Sequence, residues 1–448
     1  MGRLAASAVV TPLDNIFVEL ESKIRSRQAT VGIIGLGYVG LPLALSLTEV
    51  GYRVKGLDVD PERVRAIQNG HSYITDVSDV ELAQATADRR FIATSDFQSI
   101  GMLDAIIICV PTPLRKTKDP DMSYVMAAAD AIASGLRRGQ LVILESTTYP
   151  GTTEELILAR FEETGLHIGE DFFLAYSPER IDPGNKEFPT RNIPKVVGGI
   201  TTQCASLAGL LYSQCMQQVH IVSSTRVAEM VKLLENSFRS VNIALANEFA
   251  LLCSHMKIDV WEVIKAASTK PFGFMPFYPG PGLGGHCIPI DPMYLVWKAR
   301  VDGFDPRFIE LADKINSNMP RFVTQRAMEL LNQKGKSLKG SRIHLLGVAY
   351  KRDTGDFRES PALEIMKLCL AAGATISYSD PFIERLTFQG HRYESMPLCP
   401  EVLWSCDLAM IITDHSQVDY SCVVKEAPLV FDTRNATQGL HAENLVRL

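Results

Sequence analysis

Cys287 closes a glycine-rich run, Pro279-Gly280-Pro281-Gly282-Leu283-Gly284-Gly285-His286-Cys287, and Asp291 follows four residues later. Glycines at that density let backbone swing close to a ligand through conformations that a Cβ forbids. Pro292 opens a helix expected over Met293 to Ala299, which makes Asp291 its expected N-cap. A thiol just ahead of a helix N-terminus feels partial positive charge, which favours the nucleophilic thiolate. The same residues would also serve a loop with a buried structural cysteine and a capping acid. What separates the two is the rest of the chain.

A second reactive pair lies on a helix expected from Thr225 to about His255, where Val227, Met230, Val231, Leu234, Phe238, Val241, Leu245, Phe249 and Leu252 recur at helical spacing. Lys232 and Asn236 are four residues apart and share one face of it. A helical lysine is ordinarily solvated, but Met230, Val231, Leu233 and Leu234 leave little room for an exposed face. Apolar residues on more than one side of so long a helix predict a homodimer, or a higher homo-oligomer of such dimers, built on it.

A third group is Gly35-Leu36-Gly37-Tyr38-Val39-Gly40, set between a strand, Val31–Ile34, and a helical run, Leu41–Val50. The next strand, Tyr52–Leu57, ends at Asp58, eighteen residues beyond Gly40. In that setting the glycines allow a tight turn that brings a pyrophosphate to the helix N-terminus. Asp58 can accept hydrogen bonds from the adenosine ribose, and its charge repels a 2′-phosphate. The cofactor expected is therefore NAD rather than NADP, with Arg63 placing a cation nearby.

The elements that must position these groups follow an alternating pattern: strand Ala105–Val110, helix Tyr124–Leu136, strand Leu141–Leu144, helix Thr153–Glu163 and strand Phe172–Tyr176. Small polar runs end these strands, Pro111-Thr112-Pro113 and Glu145-Ser146-Thr147-Thr148, where open α/β sheets bind ligands. Ser177-Pro178-Glu179-Arg180 follows the last strand, its acid and guanidinium either a surface pair or two groups facing one cleft. A further helix is expected at Asp259–Ser268, and Gln333–Gly340 reads as a linker. Beyond it come strand Arg342–Leu346, helix Pro361–Ala371 and strands Thr375–Ser379, Asp407–Thr413 and Leu429–Phe431. This second α/β unit lacks GxGxxG, so no second dinucleotide is indicated, while Lys351, Arg352, Arg358 and Arg434 offer cations of the kind a diphosphate needs. The expected fold is α/β, with two Rossmann-like doubly wound domains joined by a long central helix and a small helical domain. Its boundaries are an N-terminal extension at 1–29, an NAD-binding domain at 30–222, the central helical domain with the Cys287 loop at 223–332, and a C-terminal domain at 333–448.

Composition narrows the classes. A net charge of -6 argues against nucleic-acid binding. Apolar runs such as Ala105–Val110 and Leu408–Ile412 are too short to span a bilayer, so no membrane partner is expected. The first ten residues lack a signal-peptide core. Nine cysteines without CxxC pairs suggest neither a disulfide framework nor a metal site, and the cytoplasm is the expected setting.

One dinucleotide domain, one glycine-framed thiol, one Lys/Asn pair and one phosphate-binding domain suggest a four-electron oxidation. NAD would take hydride from a primary alcohol, and a Cys287 thiolate would add to the aldehyde. Oxidation of the thiohemiacetal would give a thioester that water releases as the acid. Lys232 and Asn236 would stabilise the oxyanions at the carbon under attack.

These residues resemble the UDP-glucose/GDP-mannose dehydrogenase family from about residue 30 onward. The likeness rests on Gly35–Gly40 with Asp58, on Pro111-Thr112-Pro113, Ser177-Pro178-Glu179 and Lys232-Leu233-Leu234-Glu235-Asn236. It continues in Gly284-Gly285-His286-Cys287 with Asp291, and in Lys351-Arg352-Asp353-Thr354-Gly355-Asp356. The resemblance implies that Cys287 is the nucleophile, that Lys232 and Asn236 flank the reacting carbon, and that Asp291, Thr112 and Glu179 position or activate water. It also implies NAD contacts from Tyr38, Val39, Pro111, Thr112, Thr147 and Arg358, the last reaching across from the C-terminal domain. Substrate contacts are implied for Glu179, Arg180, Lys232, Asn236, Tyr278, Gly280, Gly282, Gly284, Lys351 and Arg434, which makes the C-terminal domain a UDP-sugar-binding domain.

Departures from the UDP-glucose members narrow the implied substrate. Those members carry Asn-Pro-Glu-Phe-Leu and Gly-Gly-Ser-Cys, where this chain has Ser177-Pro178-Glu179-Arg180-Ile181-Asp182-Pro183-Gly184 and Gly284-Gly285-His286-Cys287. Together with Glu145-Ser146-Thr147-Thr148-Tyr149-Pro150-Gly151-Thr152 this looks like members that oxidise UDP-N-acetyl-D-glucosamine at C6 for surface polysaccharides such as lipopolysaccharide O-antigen. Members acting on UDP-N-acetylmannosamine are the close competitor. His286 reads first as a loop residue. A β-hydroxyacid dehydrogenase would need no thiol and no second α/β domain, and a silent NAD- or UDP-sugar-binding regulator would have no use for an intact Lys232, Asn236, Cys287 and Asp291.

Overall fold

Thr30–Ile34 (β1) and Arg53–Leu57 (β2) pair in parallel, with Val31 beside Val54 and Ile34 beside Leu57. On its other side β1 pairs with Ala105–Ile108 (β4), so the chain returns past its first strand after adding Phe91–Thr94 (β3) outside β2. The computed structural model describes residues 12–74, 77–115, 117–180, 190–285 and 287–448, and these fall into two units, Met1–Leu234 and Glu235–Leu448. The first is built on one eight-stranded sheet of order β3-β2-β1-β4-β5-β6-β7-β8, completed by Gln140–Leu144 (β5), Phe172–Tyr176 (β6), Lys195–Gly199 (β7) and Val219–Val222 (β8). All neighbours are parallel except β6 and β7.

Both faces of this sheet are buried at its centre, which is why β4 and Leu141–Leu144 of β5 read as unbroken apolar runs. Val31, Ile33, Ala105 and Ile107 face one core, and Ile34, Ile106 and Ile108 the other. Each fully buried aliphatic side chain there contributes roughly 1.5–3 kcal/mol. The helices of this unit are Pro12–Arg25 (α1), Gly40–Glu49 (α2), Pro61–Gln68 (α3), Asp79–Ala87 (α4), Ser123–Ala133 (α5), Ala159–Glu162 (α6) and Thr202–Ser213 (α7). Thr153–Leu158, ahead of α6, winds as a π-helix rather than the α-helix its spacing predicts. Within the N-terminal extension, α1 is core structure: Leu20 and Ile24 are buried, Phe17 meets Phe173 edge-on, and Tyr52 Oη donates to the Ile24 carbonyl at 2.7 Å.

Thr225–Met256 (α8) is a single helix of 32 residues that begins in the first unit and continues into the second. The second unit adds Val260–Ala267 (α9), Asp291–Val301 (α10), Arg307–Gln333 (α11), Pro361–Ala371 (α12), Pro400–Ser405 (α13) and Tyr420–Glu426 (α14). The 27 residues of α11 escape the sequence-based expectation, which places a linker from Gln333. Pro320 inside it masks an otherwise regular apolar stripe of Ala312, Met319, Val323, Ala327 and Leu330. Arg342–Leu346 (β9), Thr375–Ser379 (β10), Leu408–Ile411 (β13), Val430–Asp432 (β14) and Leu445–Arg447 (β15) form a parallel sheet of order β10-β9-β13-β14-β15, with a hairpin of Arg385–Phe388 (β11) and His391–Glu394 (β12) beside it. Here too the order reverses beside the first strand, between β9 and β13, which opens a crevice at the strands' carboxyl ends. Among the described residues no helix is long and apolar enough to cross a membrane.

Candidate active site

In the first unit the glycine turn sits at the switch point between β1 and β4. Gly35, at φ +92°, lies so close to Cys109 that a Cβ would come within 2.5 Å of its carbonyl oxygen. A Cβ on Gly40 would lie 1.9 Å from the Gly35 carbonyl. Both are needed to close the turn. Gly37 differs, since a Cβ there would meet nothing within 4 Å. Its outer side is open space in front of α2, whose first turn has neither a side-chain cap nor an acidic residue. Uncapped N–H groups facing an open glycine suit a pyrophosphate, so these residues fit NAD.

Asp58 is buried at the end of β2. One carboxylate oxygen accepts from the Leu36 N–H at 2.8 Å and the other from the Asp60 N–H at 2.9 Å. Arg63 stands 3.5 Å from Asp58 and lies over the Tyr73 ring, so the nearby cation is engaged with the acid itself. Tyr73 Oη in turn donates to the Leu36 carbonyl at 2.6 Å. The acid thus braces the glycine turn as well as facing the place where a ribose would lie.

The polar strand ends converge on α8. Ser146 Oγ donates to the Val110 carbonyl at 2.7 Å, tying the β5 end to the segment that leads into Pro111 and Thr112. Glu229, buried on α8, accepts from the Gly151 N–H, the Thr153 N–H and the Thr153 hydroxyl. These bonds fix the Thr147–Thr153 segment against the helix. One turn further along, Lys232 is buried and its Nζ donates to Thr147 Oγ1. Glu179, after β6, accepts from Lys195 Nζ at 2.8 Å, while Arg180 beside it donates to the Pro194 carbonyl at 2.7 Å. Ile181, Asp182, Pro183 and Gly184 lie outside the described residues.

In the second unit Asn236 Nδ2 donates to Asp291 Oδ2 at 2.5 Å. This corrects the expected helix start. The helix α10 begins at Asp291 itself, Ile290 is its N-cap residue, and no side chain caps it. Asp291 is buried and its carboxylate turns to Asn236, a partner that spacing along the chain could not reveal. Cys287 is exposed, and its carbonyl accepts the Ile290 and Asp291 N–H groups at 3.1 and 2.8 Å, which joins the thiol-bearing turn to α10. His286 lies outside the described residues.

The loop glycines face protein. Methyl carbons at Gly280, Gly282 and Gly284 would come within 2.7 Å of Arg434 Nη1, 3.2 Å of Pro361 and 2.9 Å of the Glu359 carbonyl. Gly280 is further held by its N–H to Asn247 Oδ1 at 2.9 Å. The glycine density therefore serves close packing of the loop onto Pro320 of α11, the start of α12 and the segments that follow β9 and β14. A cleft of about 930 Å³ opens beside it, between α9 and the β9/β13 crevice. Trp261 and Tyr278, stacked with centroids 6.3 Å apart, line one side, and Arg352, Arg434 and Arg447 the other. Volume, aromatic faces and guanidinium groups suit a nucleotide diphosphate. Arg434 Nε donates to the Ile412 carbonyl at 3.0 Å, which orients its fork. Lys351 and Arg358 are not among the cleft's lining residues, and Arg358 pairs with Asp356 through two nitrogens at 3.0 and 2.7 Å.

Three consecutive models of the UDP-glucose/GDP-mannose dehydrogenase family match the chain: the NAD-binding domain over residues 29–216, the central domain over 226–318 and the UDP-binding domain over 344–439. The chain belongs to this family. It is an NAD-dependent UDP-sugar dehydrogenase. The dehydrogenase is 35% identical over 417 residues to a UDP-N-acetyl-D-mannosamine dehydrogenase of Methanococcus maripaludis, covering 90% of this chain and 92% of the relative. It is 36% identical over 361 residues to a UDP-N-acetyl-D-glucosamine 6-dehydrogenase of Salmonella typhi, covering 80% and 83%. The solved structure of a UDP-D-ManNAc dehydrogenase from Pyrococcus horikoshii superposes with a TM-score of 0.85 at 33% identity, covering 93% of this chain and 98% of that one.

Sequence reasoning missed several groups of the dehydrogenase's clefts. Trp261 and Arg447 carry no motif, one inside a short amphipathic helix and the other in the last strand. Lys195, at the start of β7, looks like an ordinary polar residue ahead of an apolar run. Its burial between Glu145 and Glu179 depends on β7 running antiparallel to β6, which spacing does not report.

Proposed function

We propose that this dehydrogenase oxidises C6 of UDP-N-acetyl-D-glucosamine to the uronic acid in two oxidations, alcohol to aldehyde and then Cys287 thiohemiacetal to thioester. The observation that carries the chemistry is the exposed Cys287 joined by its turn to the buried Asp291, which pairs with Asn236. Two NAD molecules, bound in turn, would each supply the hydride acceptor for one oxidation. The Cys287 thiolate adds to the aldehyde carbon, and Lys232 and Asn236 donate to the oxygen that becomes negative. Thr112 and Glu179 hold and deprotonate the water that cleaves the thioester. Arg434 and the Trp261/Tyr278 face hold the nucleotide, and Gly35–Gly40, Asp58, Thr147 and Arg358 serve the cofactor.

The glucosamine epimer is supported by Ser177-Pro178-Glu179-Arg180 in place of the UDP-glucose pattern and by the Salmonella relative. UDP-N-acetyl-D-mannosamine is the second reading, favoured by the Methanococcus relative at nearly equal identity. A panel of UDP-N-acetylglucosamine, UDP-N-acetylmannosamine and UDP-glucose, followed by NADH release, is expected to give two NADH per sugar. The glucosamine should be fastest and UDP-glucose far slower. One NADH per sugar with aldehyde as the end product would overturn the mechanism. Faster turnover of the mannosamine would overturn the epimer.

We also infer a dimer built on α8. Phe238, Leu245, Phe249, Leu252 and Met256 recur at helical spacing and are each about half exposed, an apolar stripe of the kind that soluble monomers keep covered. Sedimentation velocity at micromolar concentration should give at least twice the 49.5 kDa of one chain. A single 49.5 kDa species would refute the pairing.

A further inference from the structure

Behind Glu179 lies a set of charged groups with no place in the roles given so far. Lys195 Nζ bridges Glu145 and Glu179, at 2.8 Å from the latter, and the Tyr212 hydroxyl donates to the other Glu145 oxygen. The Glu145 and Tyr212 side chains are fully buried, and Lys195 and Glu179 keep 5% and 10% of their side-chain surface. Lys195 Nζ also stands 5.1 Å from the Tyr212 ring centre. The four groups come from the ends of β5 and β6, the start of β7 and the body of α7, so three sheet strands and a helix fix their geometry.

A buried ammonium shared by two carboxylates is costly to assemble, and packing alone would be served as well by apolar residues. One member of the set, Glu179, is the group expected to take a proton from water. We propose that Lys195, braced by Glu145 and Tyr212, is the positioning residue that orients the Glu179 carboxylate and sets its basicity for thioester hydrolysis. The inference rests on the function proposed above. In that step the water oxygen bonds to the acyl carbon and Glu179 takes a water proton. The carbon–sulfur bond then breaks, with its electron pair returning to the Cys287 sulfur.

The electrostatics agree with the geometry. Burial pushes Glu145 up to about 7 in spite of the Lys195 ammonium. Burial opposes the Lys195 charge as well, but the two carboxylates outweigh it and hold the ammonium above the ordinary lysine range. Other titratable groups near the set among the described residues are Cys109 just after β4, Tyr212 on α7 and Cys215 just beyond it, all kept neutral by burial, which raises each of them. Glu145 is therefore the neighbour whose charge changes near neutral pH. When it is ionised, Glu179 shares the ammonium and is the stronger base. When it is protonated, Glu179 has the ammonium to itself and is the weaker one.

Two substitutions should then move the pH profile of hydrolysis in opposite directions. Lys195→Met removes the cation from between two buried acids, and the limb on which Glu179 must be ionised should shift up by roughly 1–3 pH units. Glu145→Gln leaves Glu179 alone with the ammonium, and the same limb should shift down. Lys195→Arg keeps the charge but not the compact shape, so its limb should lie nearer wild type than that of Lys195→Met. The readout is rapid mixing with NAD and UDP-N-acetylglucosamine, or whichever UDP-hexose of the panel the wild type oxidises. A slow hydrolysis shows as a burst of two NADH per site and a Cys287 thioester trapped by acid quench. Should Lys195→Met fail to fold, the near-isosteric Glu145→Gln still decides the question by the sign of its shift. Unmoved profiles, or shifts of one sign in both variants, would overturn the inference. Glu179→Gln separates the two levels: if it hydrolyses thioester normally, the role given to Glu179 is wrong, whereas its collapse beside unshifted neighbours refutes Lys195 alone.

Discussion

Cys287→Ser is expected to lower turnover to the acid by roughly a thousandfold or more, about 4 kcal/mol of barrier. A hydroxyl can add to an aldehyde, but at neutral pH it is far less ionised than a thiol and a poorer nucleophile. The ester that would follow is also harder to hydrolyse than a thioester. Binding of NAD should survive, because Gly37, the uncapped α2 and Asp58 all belong to the first unit, whereas Cys287 belongs to the second. Titration of NAD fluorescence quenching checks the binding, and denaturing mass spectrometry checks the chemistry. Quenched wild type should show a transient adduct removable by hydroxylamine, and the variant either a persistent ester or no adduct. Near-normal production of uronic acid by the variant would remove Cys287 from its role and leave the glycine loop as packing onto α11 and the start of α12.

Lys232→Met should lower kcat by roughly 10²–10³-fold while changing NAD affinity little. The side chain is buried on α8 with its ammonium on the Thr147 hydroxyl, and Glu229 one turn earlier anchors the same segment. The helix therefore delivers a positive charge to a fixed point without help from solvent. Methionine keeps the stem and its packing and deletes only the donor. The loss should appear in the steps in which an oxyanion forms, and hence in the rate of the NADH burst as well as in steady state. Lys232→Arg should rescue little, since a planar fork cannot occupy the space of a compact ammonium. A variant that lost substrate affinity but kept kcat would assign Lys232 to binding alone.

Much of this was legible because it is local. A strand, a glycine turn and a helix stand within eleven residues of one another at Ile34–Ala44, and Lys232 and Asn236 are separated by one helical turn, so spacing alone places them. The sheet's both-faces-buried character is likewise written in runs such as Ala105–Ile108. What stayed hidden is long-range. Asp291 reads as a cap because an acid before a proline at a helix start usually is one, yet its partner Asn236 lies 55 residues away. Lys195, Glu145 and Tyr212 are joined across separations of 50 and 67 residues. Pro320 concealed a 27-residue helix because helix interiors rarely tolerate it.

The acid at the end of the second strand appears twice in this chain. Asp380, after β10, takes the Val348 and Ala349 N–H groups on one oxygen and those of Phe382 and Ile383 on the other, much as Asp58 holds Leu36 and Asp60. The second sheet has no GxGxxG to serve, so the latch is a device of the fold before it is a reader of cofactors. This bears on protein engineering. Replacing Asp58 by an apolar residue to admit a 2′-phosphate would also strand the Leu36 N–H of the glycine turn and the Asp60 N–H ahead of α3, at about 1–3 kcal/mol for each buried one. Redesign of cofactor preference in this scaffold has to begin by re-bracing the turn, and only then by adding cations to meet the phosphate.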